Sequence, residues 1–132
     1  MAMDEYSRFE DLLGQTLTAV EVVRADGKTI WDDRIDLTTV EGVTFRLFHS
    51  QDCCEGVYIE DIIGNTDDLV GNPLLMAEGV SNANEPPKDD YMPDSYTWTF
   101  YKLATIKGYV TIRWYGTSNG YYSESVNFER LL

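Results

Sequence analysis

The residue types most able to do chemistry fall within one short stretch, from His49 to Glu55. It contains the only histidine and both cysteines of the 132-residue chain, together with two carboxylates. A thiolate beside an imidazole is typical of cysteine nucleophiles, and thiolates, imidazoles and carboxylates also bind metals. The candidate residues of this stretch are His49, Asp52, Cys53, Cys54 and Glu55.

The acidic surroundings of these residues argue against a cysteine nucleophile, and their spacing argues against a zinc site. Acidic neighbours raise the pKa of a thiol, whereas a cysteine nucleophile needs that pKa lowered. The pattern His-x3-Cys-Cys is not a zinc spacing, and no second Cys or His pair completes four ligands. A hard cation could bind only if the carboxylates of Asp52, Glu55, Glu60 and Asp61 came together. We expect no cofactor and no metal, and a Cys/His- or metal-dependent enzyme is the alternative function.

The adjacent cysteines predict two reduced thiols rather than a disulfide. A bridge between neighbouring cysteines is strained, and cytosolic thiols are kept reduced. Neighbouring side chains of an extended segment point to opposite faces. We therefore expect one of Cys53 and Cys54 to be buried and the other exposed.

A second candidate surface lies in the last third of the chain, where aromatic residues alternate along two strand-like runs. A cation among aromatic rings suits a ligand that has a ring and a phosphate, and Arg113 is that cation. The alternative is that the aromatics are core and that Arg113 pairs with Asp52, Glu55 or Glu124. The candidate binding residues here are Trp98, Tyr101, Arg113, Tyr115, Asn119 and Tyr121.

The charge of the chain excludes some classes of partner. The net charge is −13, and no Lys or Arg occurs between Leu47 and Pro87. Direct nucleic-acid binding and binding to anionic membrane both depend on basic residues and are disfavoured. No apolar run approaches the roughly 20 residues of a membrane span, and the first residues lack a signal-peptide pattern. We expect a cytoplasmic protein whose carboxylates serve solubility or mimic a nucleic acid towards a basic partner.

The length predicts a single domain over residues 1–132. A short helix is expected over 4–13, a β-rich body over 16–128 and an exposed loop over 82–94. The fold class is mainly β, with α+β possible: a curled antiparallel sheet or β-sandwich of about six to eight strands, with one short N-terminal helix. Strands are predicted at 16–23, 28–39, 43–49, 57–62 and 73–80. A three-stranded meander is predicted at 96–103, 109–115 and 121–128, with a hairpin turn at Asn119-Gly120.

Two signatures resemble those of a small domain of unknown function found in tailed phages and prophages. The first is Gln51-Asp52-Cys53-Cys54-Glu55 with the residues around it, and the second runs from Ser95 to Lys102 and from Gly108 to Val126. The resemblance covers about Leu13 to Glu129. It implies a phage or prophage origin and an accessory, non-virion role, without an assigned activity.

These observations together favour a small, acidic, phage-encoded accessory binding protein in the cytoplasm of a bacterial host. Its expected action is on a host process, as counter-defence. Its expected partner is either a host protein or a small anionic, nucleotide-like ligand. An acidic nucleic-acid mimic is a further alternative to the enzyme named above.

Overall fold

The computed structural model describes residues 7–24, 33–88 and 92–131, and these form two four-stranded antiparallel sheets. The predicted mainly β architecture is confirmed. The first sheet has the order β1-β2-β3-β8 and the second has the order β4-β7-β6-β5. The strands are β1 (Leu17–Val23), β2 (Arg34–Thr39), β3 (Thr44–Phe48), β4 (Gly56–Ile63), β5 (Met76–Asn82), β6 (Ser95–Thr105), β7 (Gly108–Ser118) and β8 (Asn127–Arg130).

The strands form because apolar residues recur at every second position, so that one face of each strand can be buried. In β2, Ile35 and Leu37 are fully buried, while Asp36 between them points outward and binds Arg46 of β3. Both sheets contribute to one hydrophobic cluster, which stabilises their packing. Its fully buried large side chains are Leu12, Leu17, Ile35, Leu37, Leu47, Ile59, Leu69, Leu74, Leu103, Ile112 and Trp114.

The predicted short N-terminal helix is present in the described residues, but it is shorter than expected and is a 3₁₀ helix. Only one 3₁₀ turn forms, at Phe9–Leu12, and residues 4–6 of the prediction lie outside the described residues. In a 3₁₀ turn, side chains three residues apart lie above one another. Phe9 and Leu12 can therefore both enter the core, where the Phe9 ring lies 4.6 Å from that of Tyr101.

The predicted meander is correct in its first hairpin and wrong in its third strand. β6 and β7 pair from Ser95↔Ser118 to Thr105↔Gly108, but residues 121–126 form no strand. β7 already has β6 and β4 as neighbours, so no edge remains for a third partner. The chain instead crosses to the first sheet, where β8 pairs with β3.

Other strand boundaries move by a few residues. The second predicted strand is observed over 34–39, and its residues 28–32 lie outside the described part of the chain. The strand expected from Pro73 begins at Met76, because Pro73 makes only an isolated bridge with Thr16. Across the described segments, no helix is long and apolar enough to cross a membrane.

Three connections lie at the same end of the two sheets. In the first sheet, the end of β3 pairs with the start of β8. In the second sheet, the end of β7 pairs with the starts of β4 and β6. We call residues 49–55, 92–94 and 117–126 the loop end. The predicted His-Cys-Cys-Glu stretch and the predicted Asn119 tip both belong to it.

Candidate functional site

The base of the first connection is closed by a buried pair, His49 and Glu55. His49 Nε2 lies 2.7 Å from Glu55 Oε2, and His49 Nδ1 lies 2.7 Å from the carbonyl oxygen of Ser125. Their side chains are 2% and 0% exposed. Both ring nitrogens are therefore held by an oxygen, one from a carboxylate and one from the main chain.

The Glu55 carboxylate also holds the main chain of the loop that it closes. Its oxygens accept the N–H groups of Asp52, at 2.8 Å, and Cys53, at 2.9 Å. Burial raises the pKa of Glu55, but the hydrogen bonds from His49 and from the main chain outweigh this and lower it to about 2. His49 and Glu55 thus form a structural clamp, and neither ring nitrogen of His49 is directed at a cysteine.

The two cysteines correct the prediction of free thiols. Cys53 and Cys54 are joined by a disulfide, with an S–S distance of 2.07 Å, and both residues are exposed. The prediction assumed an extended segment with alternating faces. The segment is instead a tight loop, turned by the hydrogen bonds to Glu55, and β4 begins only at Gly56. The disulfide forms an exposed tip above the clamp.

A cleft of about 250 Å³ opens beside this tip. Asn119 lines it, as does Tyr122, whose ring lies 5.0 Å from the ring of the highly exposed Tyr121. Sequence reasoning missed Pro93, Asp94 and Thr117, since no residue type or spacing marks them. The lining residues, none of which is Lys or Arg, are Cys54, Pro93, Asp94, Thr117, Ser118, Asn119 and Tyr122.

One wall of the cleft is fixed by a second buried carboxylate, Glu124. It accepts hydrogen bonds from the hydroxyl groups of Thr97, at 2.7 Å, and Ser118, at 2.5 Å. Gly116 lies directly against it: a Cβ at this position would be 2.9 Å from Glu124 Cβ and 3.2 Å from Val57 Cγ2. The close contact requires glycine there.

The backbone N–H groups of the Asn119 tip form hydrogen bonds within the tip. Gly120 donates to Ser118 Oγ at 2.9 Å, and Tyr121 donates to Asn119 Oδ1 at 2.9 Å. Gly120 has a φ of +92°, as expected for glycine in a turn. The turn leads into β8 rather than into a hairpin partner of β7.

The aromatic candidates do not form one surface. Trp98, Arg113 and Tyr115 share the outer face of the second sheet, whereas Tyr101 points into the core. Burial, with a smaller effect from the charge of Glu10, raises the pKa of Tyr101 to about 12. Tyr121 lies apart from both groups, at the loop end.

Arg113 is held by carboxylates other than those predicted. Its Nε lies 3.3 Å from Glu60 and its Nη2 lies 3.8 Å from Glu85. Its guanidinium carbon lies 4.8 Å from the centre of the Trp98 ring. The predicted partners Asp52, Glu55 and Glu124 are not among these ion pairs. Two carboxylates therefore already neutralise the charge of Arg113.

The chain's own loop covers the predicted ligand face. The indole N–H of Trp98 donates to the carbonyl of Pro86 at 3.0 Å, and Lys88 N–H donates to the Tyr115 hydroxyl at 3.1 Å. Trp98 and Tyr115 are only 3% and 4% exposed. Within the loop predicted to be exposed over 82–94, residues 83–86, 92 and 94 are exposed, whereas Lys88 is half-buried and Pro93 is buried.

The carboxylates do not assemble a cation site in the part of the chain that the structure describes. Within residues 7–24, 33–88 and 92–131, no three His, Cys, Asp or Glu side chains are grouped so that they could hold a metal ion. Glu55 is committed to the His49 clamp and Glu60 to Arg113. The hard-cation alternative has no geometric support among these residues.

Comparison with known proteins identifies the family but no function. No curated protein and no solved structure matches the chain. Residues 10–128 match a family described as a domain of unknown function, DUF7448, over nearly the span expected from the two signatures. The chain belongs to this DUF7448 family.

Proposed function

We propose that this chain is a small, non-catalytic binding protein that holds a protein partner at its loop end. We further propose that it is a phage-encoded accessory protein acting on a host process, as counter-defence in the cytoplasm of the bacterial host. The phage origin is supported by the resemblance of the two signatures, and the binding role by the loop end.

The observation that carries the proposal is the composition of the loop end. Tyr121 is 83% exposed and Met92 is 69% exposed, and their chain neighbours Tyr122 and Pro93 line the cleft together with Cys54. Tyrosine and methionine are enriched in protein interfaces. Asp52 and Asp94 are also exposed there and would surround the apolar groups with negative charge. This arrangement suits a protein surface that presents basic residues around an apolar centre.

The rigidity of the loop supports the same function. The His49–Glu55 pair and Glu124 hold the main chain and the side chains that border the cleft. A loop that is already ordered loses less conformational entropy on binding. The buried pair thus favours affinity without touching the partner.

The other functions considered have less support. A nucleotide-like ligand needs a cation, but no Lys or Arg lines the cleft, and Arg113 lies between two carboxylates. A Cys/His enzyme needs a thiolate, but both cysteines are in the disulfide. An extended nucleic-acid mimic is weakened because Glu55 and Glu60 are used in internal ion pairs.

The test is crosslinking of the tagged chain in phage-infected cells, followed by mass spectrometry. Tyr121→Ser and Asp52→Asn should each reduce recovery of one specific protein. The matched control Glu41→Gln removes an exposed carboxylate in the turn between β2 and β3, at the opposite end of the sheets, and should leave recovery unchanged. The recovered complex should weaken as salt increases. If the wild type and all three variants recover the specific protein equally, the loop-end proposal is refuted.

A further inference from the structure

The size of the cleft at the loop end limits what can enter it. Its volume is about 250 Å³. Pockets that bury small-molecule ligands are usually larger, at roughly 300–1,000 Å³. A single long side chain presented by a protein is therefore a better match than a nucleotide.

The charge of the lining decides which side chain fits. Asp94 contributes an exposed carboxylate, and no Lys or Arg lines the cleft to balance it. Thr117 and Asn119 contribute polar side chains, and Tyr122 contributes an aromatic ring beside them. A cation would be attracted both by the carboxylate and by the face of the ring.

The shape of the polar groups favours arginine over lysine. A guanidinium is planar and can donate two parallel hydrogen bonds to a carboxylate while its face stacks on a ring. An ammonium is a compact and strongly hydrated charge that cannot make this combination. From these observations we propose that the cleft binds an arginine side chain of the protein partner. The inference rests on the proposed function and names the group that the loop end recognises.

The walls of the cleft are held in place before any ligand arrives. Cys54 is joined by the disulfide to Cys53, whose N–H group is held by Glu55, and Ser118 is held by Glu124. The aromatic ring that would stack on the guanidinium is itself in edge contact with Tyr121. An arginine would therefore enter without rearrangement of the loop end.

The test is an NMR titration of the full chain with N-acetyl-arginine amide. Backbone amide signals of Thr117, Ser118 and Asn119 should shift with a Kd of about 1–10 mM, as expected for one isolated side chain. The lysine analogue should bind more weakly. The citrulline analogue has nearly the same shape without the charge and should produce no saturable shift.

Matched variants locate the binding. Asp94→Asn should weaken arginine binding about tenfold or more, and Tyr122→Leu should weaken it several-fold. Glu41→Gln should leave it unchanged, and thermal unfolding should show that all three variants remain folded. The inference is overturned if no signal shifts at about 50 mM arginine analogue, if citrulline binds equally well, or if Asp94→Asn binds undiminished.

This outcome can be separated from that of the crosslinking experiment, because the titration needs no partner. A specific partner without arginine binding would refute only the assignment of the cleft. Arginine binding without any specific partner in the cell would refute the proposed function instead.

Discussion

Glu55 and Arg113 make two ion pairs of opposite character in the same small fold. Glu55 is fully buried and accepts hydrogen bonds from His49 and from two main-chain N–H groups. Arg113 is 30% exposed, and its Nε lies 3.3 Å from Glu60 without forming a hydrogen bond to it. The first pair determines the path of a loop, whereas the second neutralises one charge on a covered sheet face. The two ion pairs differ more in their burial and in their hydrogen bonds than in the types of their residues.

The largest predicted effect is on the buried pair. Glu55→Ala removes the buried partner of His49 Nε2 and the acceptor of two N–H groups, so the free energy of unfolding should fall by about 3–5 kcal/mol. The control Glu60→Ala removes a carboxylate that is 22% exposed and should lower it by about 1 kcal/mol or less. Urea unfolding measures both. Equal losses in the two variants would remove the distinction between the pairs.

Acid should weaken the clamp in a defined pH window. The pKa of Glu55 is lowered to about 2 in the folded protein, from an ordinary value of 4.5. The stability contributed by its ionised form is therefore present above pH 4.5 and is lost as the pH falls towards 2. Thermal unfolding of the wild type and of Glu55→Gln should differ most above pH 4.5, and the difference should shrink below it. A difference that stays constant from pH 6 to pH 2 would contradict the assigned pKa.

A smaller effect is expected at Arg113. Arg113→Lys keeps the charge but loses the planar group that stacks on Trp98, so stability should fall by about 1 kcal/mol. In a double-mutant cycle with Glu60→Gln, the coupling energy should be below about 1 kcal/mol, as for exposed ion pairs. Binding of the partner at the loop end should be unaffected. If the Arg113→Lys variant is folded but no longer binds the partner, Arg113 belongs to the binding site after all.

The strands were predictable wherever the alternation of apolar and polar residues within a single strand was sufficient to specify it. Ile35 and Leu37, like Val110 and Ile112, alternate with polar residues, and period-two alternation specifies a strand without reference to the rest of the chain. β8 could not be placed in this way, because its pairing with β3 joins residues about 80 positions apart. Asn119-Gly120 correctly predicted a turn, but this turn leads to β8 of the first sheet and not to a hairpin partner of β7.

The candidate site was predictable only from unusual residue types. His49 and Glu55 stood out in the sequence, but their contact with each other depends on the turn between them. Asp94 looked like one more loop carboxylate, because its place beside Asn119 depends on how the loop packs on the sheet. The hydrogen bond from Trp98 to Pro86, which closes the predicted ligand face, is likewise a tertiary contact.

The smallest predicted effect concerns the disulfide, although it is the only covalent link between side chains in the described residues. A disulfide stabilises mainly by closing a loop in the unfolded chain, and adjacent residues enclose almost none. The double variant Cys53→Ser/Cys54→Ser should therefore lose less than about 1 kcal/mol, far below Glu55→Ala. Thiol titration of the native protein should find no free thiol before reduction and both afterwards. If the double serine variant unfolds as easily as Glu55→Ala, the covalent tip, rather than the buried clamp beneath it, holds the loop end in place.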